Sequence, residues 1–160
     1  MTEKYAKAPS LEVSDWLNTD TPLVLSELRG KVVVLHAFQM LCPGCVTHGI
    51  PQASLIYENF NNEELQVIGL HTVFENHQVM TKQALKVFVH EYRLRFPIGI
   101  DLAADSGAIP HTMDKFQLQG TPSLVLIDQA GKIRLTHLGQ LSDIQVGNAI
   151  GQLLAEGQKT

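Results

Sequence analysis

Two cysteines occur in the chain of 160 residues, three positions apart as Cys42-Pro43-Gly44-Cys45. A disulfide between them would close almost no chain, so it could not staple a fold by restricting the unfolded state. The spacing instead suits redox chemistry. A thiol at the first turn of a helix meets free N–H groups and the positive end of the helix dipole, which favour thiolate. A second thiol one turn deeper can attack a mixed disulfide made by the first. Cys42 is therefore the candidate nucleophile and Cys45 the candidate resolving thiol. A metal site is the competing chemistry, because His48 extends the motif to C-x-x-C-x-x-H and the chain holds seven histidines, including His71 and His77. Structural zinc wants four ligands, usually from two paired motifs, and no second cysteine-rich half exists. His48 reads as a helix-surface residue beside the site, and no metal is expected.

The elements that must position this pair are legible around it. Val32 to Phe38 is β-branched and almost continuously apolar, the pattern of a central strand covered on both faces. The C-x-x-C motif follows directly, and Pro43 suits the first position of a helix. Val46, Ile50, Ile56 and Phe60 continue that helix, and Pro51 is expected to kink it. Leu65 to His71 reads as a second strand. Met80, Ala84, Phe88 and Tyr92 form the apolar stripe of a second helix. Phe96 to Ile100 is a short third strand, and Ile109 to Phe116 a helical turn. Ser123 to Ile127 and Lys132 to Leu138 form a hairpin. The closing helix starts at a capping box, Ser142 to Gln145, with Val146, Ile150, Leu153 and Leu154 facing inward and Gly157 ending it. Ahead of all this, Ser14 to Leu17 reads as a helical turn and Leu23 to Leu25 as a brief extended piece. Strand–helix–strand–helix–strand, then a hairpin and a helix, is a small α/β fold.

Composition closes off other classes. Apolar residues make up 44% and charged residues 18%, enough for one globular core spanning 1–160. The formal charge of −4 argues against a nucleic-acid or anionic-membrane binder. No apolar run is long enough to span a bilayer, and Met1 to Ser14 lacks the apolar stretch of a secretory signal, so a cytoplasmic protein is expected.

Several stretches together resemble the thioredoxin-like superfamily. They are Lys31-Val-Val-Val-Leu-His-Ala-Phe-Gln-Met-Leu-Cys42-Pro-Gly-Cys45, the helix proline Pro51, and Gly120-Thr121-Pro122 ahead of a strand. Leu25 to Lys31 is similar to the corresponding segment of the redoxin and TlpA-like branch, and the likeness covers roughly residues 10–155. It implies a mixed central sheet flanked by helices, with 1–30 as an N-terminal extension packed on it. It implies a thiol–disulfide oxidoreductase that needs no cofactor, working as a monomer on protein disulfides or dithiols with an electron donor still to be identified. It also implies that Pro122 is cis and lies against the dithiol, and that Thr121, Pro122, Pro43 and Gly44 meet the substrate. TlpA-like relatives often act outside the cytoplasm, so family and composition point to different compartments.

Three departures from the thioredoxin pattern stand out. Leu41 replaces the usual Trp before the first cysteine, and Pro43-Gly44 is neither Gly-Pro nor Pro-Pro. His36 occupies the position of a buried Asp, which marks it as a candidate proton acceptor for Cys45. Two alternatives remain beside the oxidoreductase. A peroxiredoxin-like peroxidase would place a Pro and a Thr upstream of its cysteine, and Ala37 to Leu41 has neither. A thioredoxin-fold copper chaperone would use Cys42, Cys45 and a distant His, normally with a spacing one residue longer. Trp16 is expected to anchor the N-terminal segment, and Glu75, His77 and His111 to be solvated polar residues.

Overall fold

The computed structural model describes residues 4–157; the ends of the expected 1–160 span lie outside them. Six strands form one mixed sheet: β1 (Val13–Leu17), β2 (Val32–Phe38), β3 (Leu65–His71), β4 (Ile98–Asp101), β5 (Ser123–Ile127) and β6 (Ile133–Leu138), in the order β1-β4-β3-β2-β5-β6. The helices are α1 (Ile50–Asn59), α2 (Lys82–Glu91), α3 (His111–Lys115) and α4 (Asp143–Glu156). The expected α/β fold is present. β2 runs parallel to β3, and β3 to β4, while β5 lies antiparallel to β2 and pairs with β6 as a hairpin.

β2 is the middle of the structure, and all seven of its residues are buried. Its alternation sends Val32, Val34 and Phe38 to one core with Cys45, Ile50, Leu85, Val146 and Ile150. Val33, Leu35 and Ala37 go to the other face, against Met113, Phe116 and Leu118. Each large apolar side chain removed from water here contributes about 1.5–3 kcal/mol. Ala8, Leu11, Trp16, Leu23, Leu25 and Leu28 cover this second face, so the N-terminal segment is packed on the sheet and Trp16 belongs to its core. α4 begins at the expected capping box, with Ser142 and Gln145 each satisfying the other's backbone N–H, and ends at Gly157.

Three local expectations are corrected. Ser14 to Leu17 is not a helical turn but part of β1, antiparallel to β4 with a bulge between Val13 and Asp15. The exposed edge of β4 outweighs local preference, and Gly99 leaves room for Trp16, since a β-carbon there would sit 3.2 Å from its ring. Leu25 is not extended; Leu25–Leu28 forms a 3-10 turn. α2 starts only after Thr81, whose hydroxyl accepts the Ala84 N–H, so Met80 precedes the helix. The inward residues are consequently Leu85 and Val89, with Ala84 and Phe88 on their flank, while Tyr92 is 54% exposed.

The helix is irregular just ahead of Pro51. Pro43 and Gly44 are already helical, and Cys45–Gly49 then widens into a π-helical turn before α1. The Ile50 N–H bonds the Cys45 carbonyl, five residues back. Pro51 has no N–H to continue an α-helical ladder into this stretch, so the irregularity takes the form of a π turn ahead of it.

Candidate active site

Cys42 lies just past the C-terminal end of β2, at a turn closed by its N–H on the Gln39 carbonyl (3.0 Å). Cys42 is partly exposed, and its Sγ accepts the Cys45 N–H at 3.4 Å and donates to the Thr121 carbonyl at 3.5 Å. Cys45 is fully buried. Burial, followed by the hydrogen bond to Cys42, pushes its thiol up to about 12, so it is protonated at any physiological pH. One cysteine is partly exposed and its partner is enclosed. Both are free here.

The Thr121–Pro122 peptide is cis. A β-carbon on Gly44 would meet Pro122 Cδ at 3.3 Å, so the Gly44 backbone and the Pro122 ring are in contact. Thr121, Pro122, Pro43 and Gly44 therefore surround Cys42. Leu41 beside them is 55% exposed and gives the rim an apolar component.

His36 stands on the same face of β2 as Phe38, 4% exposed, and its ring stacks on that of Phe38 at 6.0 Å. Its Nε2 is buried with no hydrogen-bond partner. Burial, and secondarily the charge of His48, lowers its pKa to about 4. The ring edge lies against Gly49, one turn beyond Cys45. A neutral imidazole with an unengaged nitrogen thus sits under the helix that carries both thiols.

His48 does not complete a ligand set. Its Nε2 donates to the Leu141 carbonyl at 2.8 Å, beside Gln52, which bonds the same carbonyl and Asp143 Oδ1. Among the described residues no three His, Cys, Asp or Glu side chains converge on a metal-sized point. His111 pairs with Glu12 at 3.2 Å, and His77 meets the Ala108 carbonyl; neither bond involves a cysteine.

Two further residues complete the setting: Gln39, which the sequence pattern left unremarked, and His71, which it raised only as a metal-ligand candidate. Gln39 is buried and accepts the Phe74 N–H on Oε1 (3.2 Å), while His71 Nε2 accepts the Met40 N–H (3.2 Å). The only sequence signal for them is two polar residues closing two apolar strands. It acquires meaning once β2 and β3 are aligned with Phe38 opposite His71. A hollow of about 530 Å³ lies away from both cysteines, lined by Leu17 at the end of β1, by Lys86 of α2 and by Arg93.

The fold and the Cys42–Cys45 pair at the head of a helix define a redoxin/TlpA-like protein of thioredoxin fold, with a C-x-x-C dithiol fit for redox exchange. The chain belongs to the AhpC/TSA family, whose sequence profile matches residues 5–136. A crystal structure of the thioredoxin-like superfamily protein SPOA0173 superposes with a TM-score of 0.90 at 53% identity, over 92% of this chain and 96% of that one. A thiol-disulfide isomerase from Corynebacterium glutamicum superposes with a TM-score of 0.88 at 49% identity, over 92% and 97%. The thiol-disulfide oxidoreductase ResA of Halalkalibacterium halodurans is 28% identical over 122 residues, 76% of this chain and 62% of that protein. NHL repeat-containing protein 2 of Homo sapiens is 27% identical over 129 residues, which is 79% of this chain but only 16% of that much longer protein.

Proposed function

We propose that the chain is a thiol–disulfide oxidoreductase acting on protein disulfides. The observation that carries this reading is the asymmetry of the pair: Cys42 partly exposed with its sulfur accepting the Cys45 N–H, Cys45 buried directly behind it. Cys42 as thiolate attacks one sulfur of a substrate disulfide; the substrate S–S bond breaks, its other sulfur leaves as thiolate, and a mixed disulfide forms. Cys45 then attacks Cys42 Sγ. The second substrate thiolate departs, and a Cys42–Cys45 disulfide remains, two electrons having passed to the substrate. An external dithiol of unidentified nature restores the reduced pair, and the reverse sequence oxidises a substrate dithiol. Thr121, Pro122, Pro43 and Gly44 are the surface on which the substrate segment rests.

His36 belongs to this reading as the acceptor of the Cys45 proton. Transfer to an imidazole of pKa about 4 from a thiol of about 12 is strongly uphill as a separate step. The proton therefore moves only as the new S–S bond forms and the attacking sulfur loses electron density. The unpartnered Nε2 is free to receive it. No bound cofactor enters this sequence, since the sulfurs carry both electrons. The chain acts as one domain and as a monomer.

A cytoplasmic setting is part of the same proposal. Both cysteines belong to the dithiol, leaving none for the structural bridges that exported domains often use. Among the described residues no helix is long and apolar enough to cross a membrane. Cell fractionation reads the setting directly, with the chain expected in the cytoplasmic fraction and its recovery outside the cytoplasm overturning this part of the proposal.

The reaction is tested with Cys45→Ser, which is expected to hold substrate proteins as mixed disulfides released by added thiol, while Cys42→Ser holds none. Equal trapping by both variants overturns it. A peroxidase reading finds no support ahead of Cys42, where Ala37 to Leu41 holds neither Pro nor Thr.

A further inference from the structure

His71 lies outside the dithiol and has no part in the exchange steps, yet it is tied to the turn that presents Cys42. It ends β3, is 1% exposed, and its ring packs against Phe38 at 5.1 Å. Its Nε2 accepts the Met40 N–H, so that nitrogen carries no proton and the ring is the neutral Nδ1–H tautomer. Two neighbouring bonds cross the strand ends in the opposite sense: Thr72 N–H donates to the Phe38 carbonyl (3.1 Å), and Phe74 N–H to Gln39 Oε1 (3.2 Å). Together they strap residues 38–40 to residues 71–74. The strap is anchored in turn, because Thr72 Oγ1 donates to buried Asp101, whose carboxylate also accepts the Thr112 and Met113 N–H groups. The Cys42 N–H then bonds the Gln39 carbonyl, so the turn strapped at Gln39 and Met40 is the turn that aims the sulfur.

We propose that His71 is a positioning residue for the dithiol: its unprotonated Nε2 holds the Met40 amide, and through it the Gln39–Cys42 turn, in the orientation that presents the Cys42 thiol. Only the Thr72 bond has a backbone acceptor; the Met40 and Phe74 N–H groups both depend on side chains, those of His71 and Gln39. Met40 lies beyond the paired register of β2 and β3, which ends with Phe38 opposite His71, so its buried amide depends on a side chain for an acceptor. Removing that acceptor leaves a buried donor unpaired, and the turn must move to find a new partner. This proposal rests on the exchange reaction above for its catalytic meaning, but not for its geometry.

The experiment compares His71→Leu with His71→Gln in the full reduced chain; the Gln side-chain oxygen falls close to the place of Nε2. Three quantities are read: amide exchange at Met40, the rate of Cys42 alkylation by iodoacetamide, and kcat and KM toward a small aromatic disulfide. His71→Leu is expected to speed Met40 exchange and lower both alkylation and kcat about tenfold, with KM little changed. His71→Gln is expected to recover most of each loss. Should His71→Leu not fold, His71→Met, similarly apolar and more adaptable, takes its place. Equal Cys42 alkylation in the apolar and Gln variants overturns the proposal whatever their thermal midpoints, because packing alone would shift stability without separating them. If the parent chain exchanges no disulfides, the oxidoreductase reading fails, while amide exchange and alkylation still decide the role of His71.

Discussion

The imidazole of His36 and the α-carbon of Gly49 are pressed together so closely that a β-carbon on Gly49 would sit 2.4 Å from His36 Cε1. Gly49 has φ −62° and ψ −49°, ordinary helical values open to any residue. Its missing side chain therefore serves the ring and not the backbone. The π-helical turn, the dithiol helix and the buried histidine meet at this contact.

Gly49→Ala should consequently destabilise the protein, although a helical Gly-to-Ala change in open space gains up to about 1 kcal/mol. Overpacking against a ring held on a central strand costs about 1–3 kcal/mol and wins. In a His36→Ala background the ring clash is gone, leaving Pro122 Cβ at 3.0 Å as the tight neighbour, and the loss should shrink. Urea unfolding of the four proteins measures both effects, and a stabilising Gly49→Ala in the parent would show that the ring is free to move aside.

Differential alkylation of the two thiols follows from their burial. Iodoacetamide should modify Cys42 alone in the folded reduced protein up to about pH 9, because Cys45 is enclosed and held protonated with its pKa pushed up to about 12. Peptide mapping after a timed quench gives the ratio. Comparable labelling of both residues would remove the basis for distinguishing nucleophile from resolving thiol.

Stability should fall with acid between about pH 6.5 and pH 4. His36 and His71 are both lowered to about 4 by burial, against an ordinary value of 6.5 in the unfolded chain. The unfolded state therefore binds more protons in that window, and unfolding becomes easier as pH drops through it. Each histidine contributes on the order of a few kcal/mol across the range. Chemical denaturation at pH 7 and pH 4.5 should show the loss, and replacing either histidine by an apolar residue should shrink it. A pH-independent midpoint would mean that both rings are charged or solvated in the native state.

Loss of the His36 ring should separate the two halves of the exchange. His36→Ala is expected to keep the first attack by Cys42 near the parent rate and to slow release by Cys45 about tenfold or more, letting mixed disulfides accumulate. Stopped-flow measurement with a chromogenic disulfide resolves the two phases. Resolution at the parent rate would make His36 a packing residue of the core.

Much of this protein is decided by local sequence. A β-branched run ending in a C-x-x-C motif specifies a buried strand, a helix start and a dithiol, because strand patterning and helix-terminus electrostatics depend on near neighbours. The limits of β2, β3 and β5 and the α4 capping box follow from the same short-range rules. Strand partners and side-chain neighbours do not. Ser14 to Leu17 becomes a strand only because the edge of β4 lies open beside it, 80-odd residues further along the chain. Met80 and Tyr92 leave the expected helix face because Thr81 caps α2 one residue after the stripe begins. Gly49 reads as an unremarkable glycine until β2 brings His36 against it, and His71 as a strand end until parallel pairing sets it under Met40. The dithiol is thus written in four adjacent residues, whereas its surroundings come from β2, β3 and the Pro122 loop. β3 and the Pro122 loop are distant in sequence from the motif, and burial and hydrogen-bond completion bring them to it.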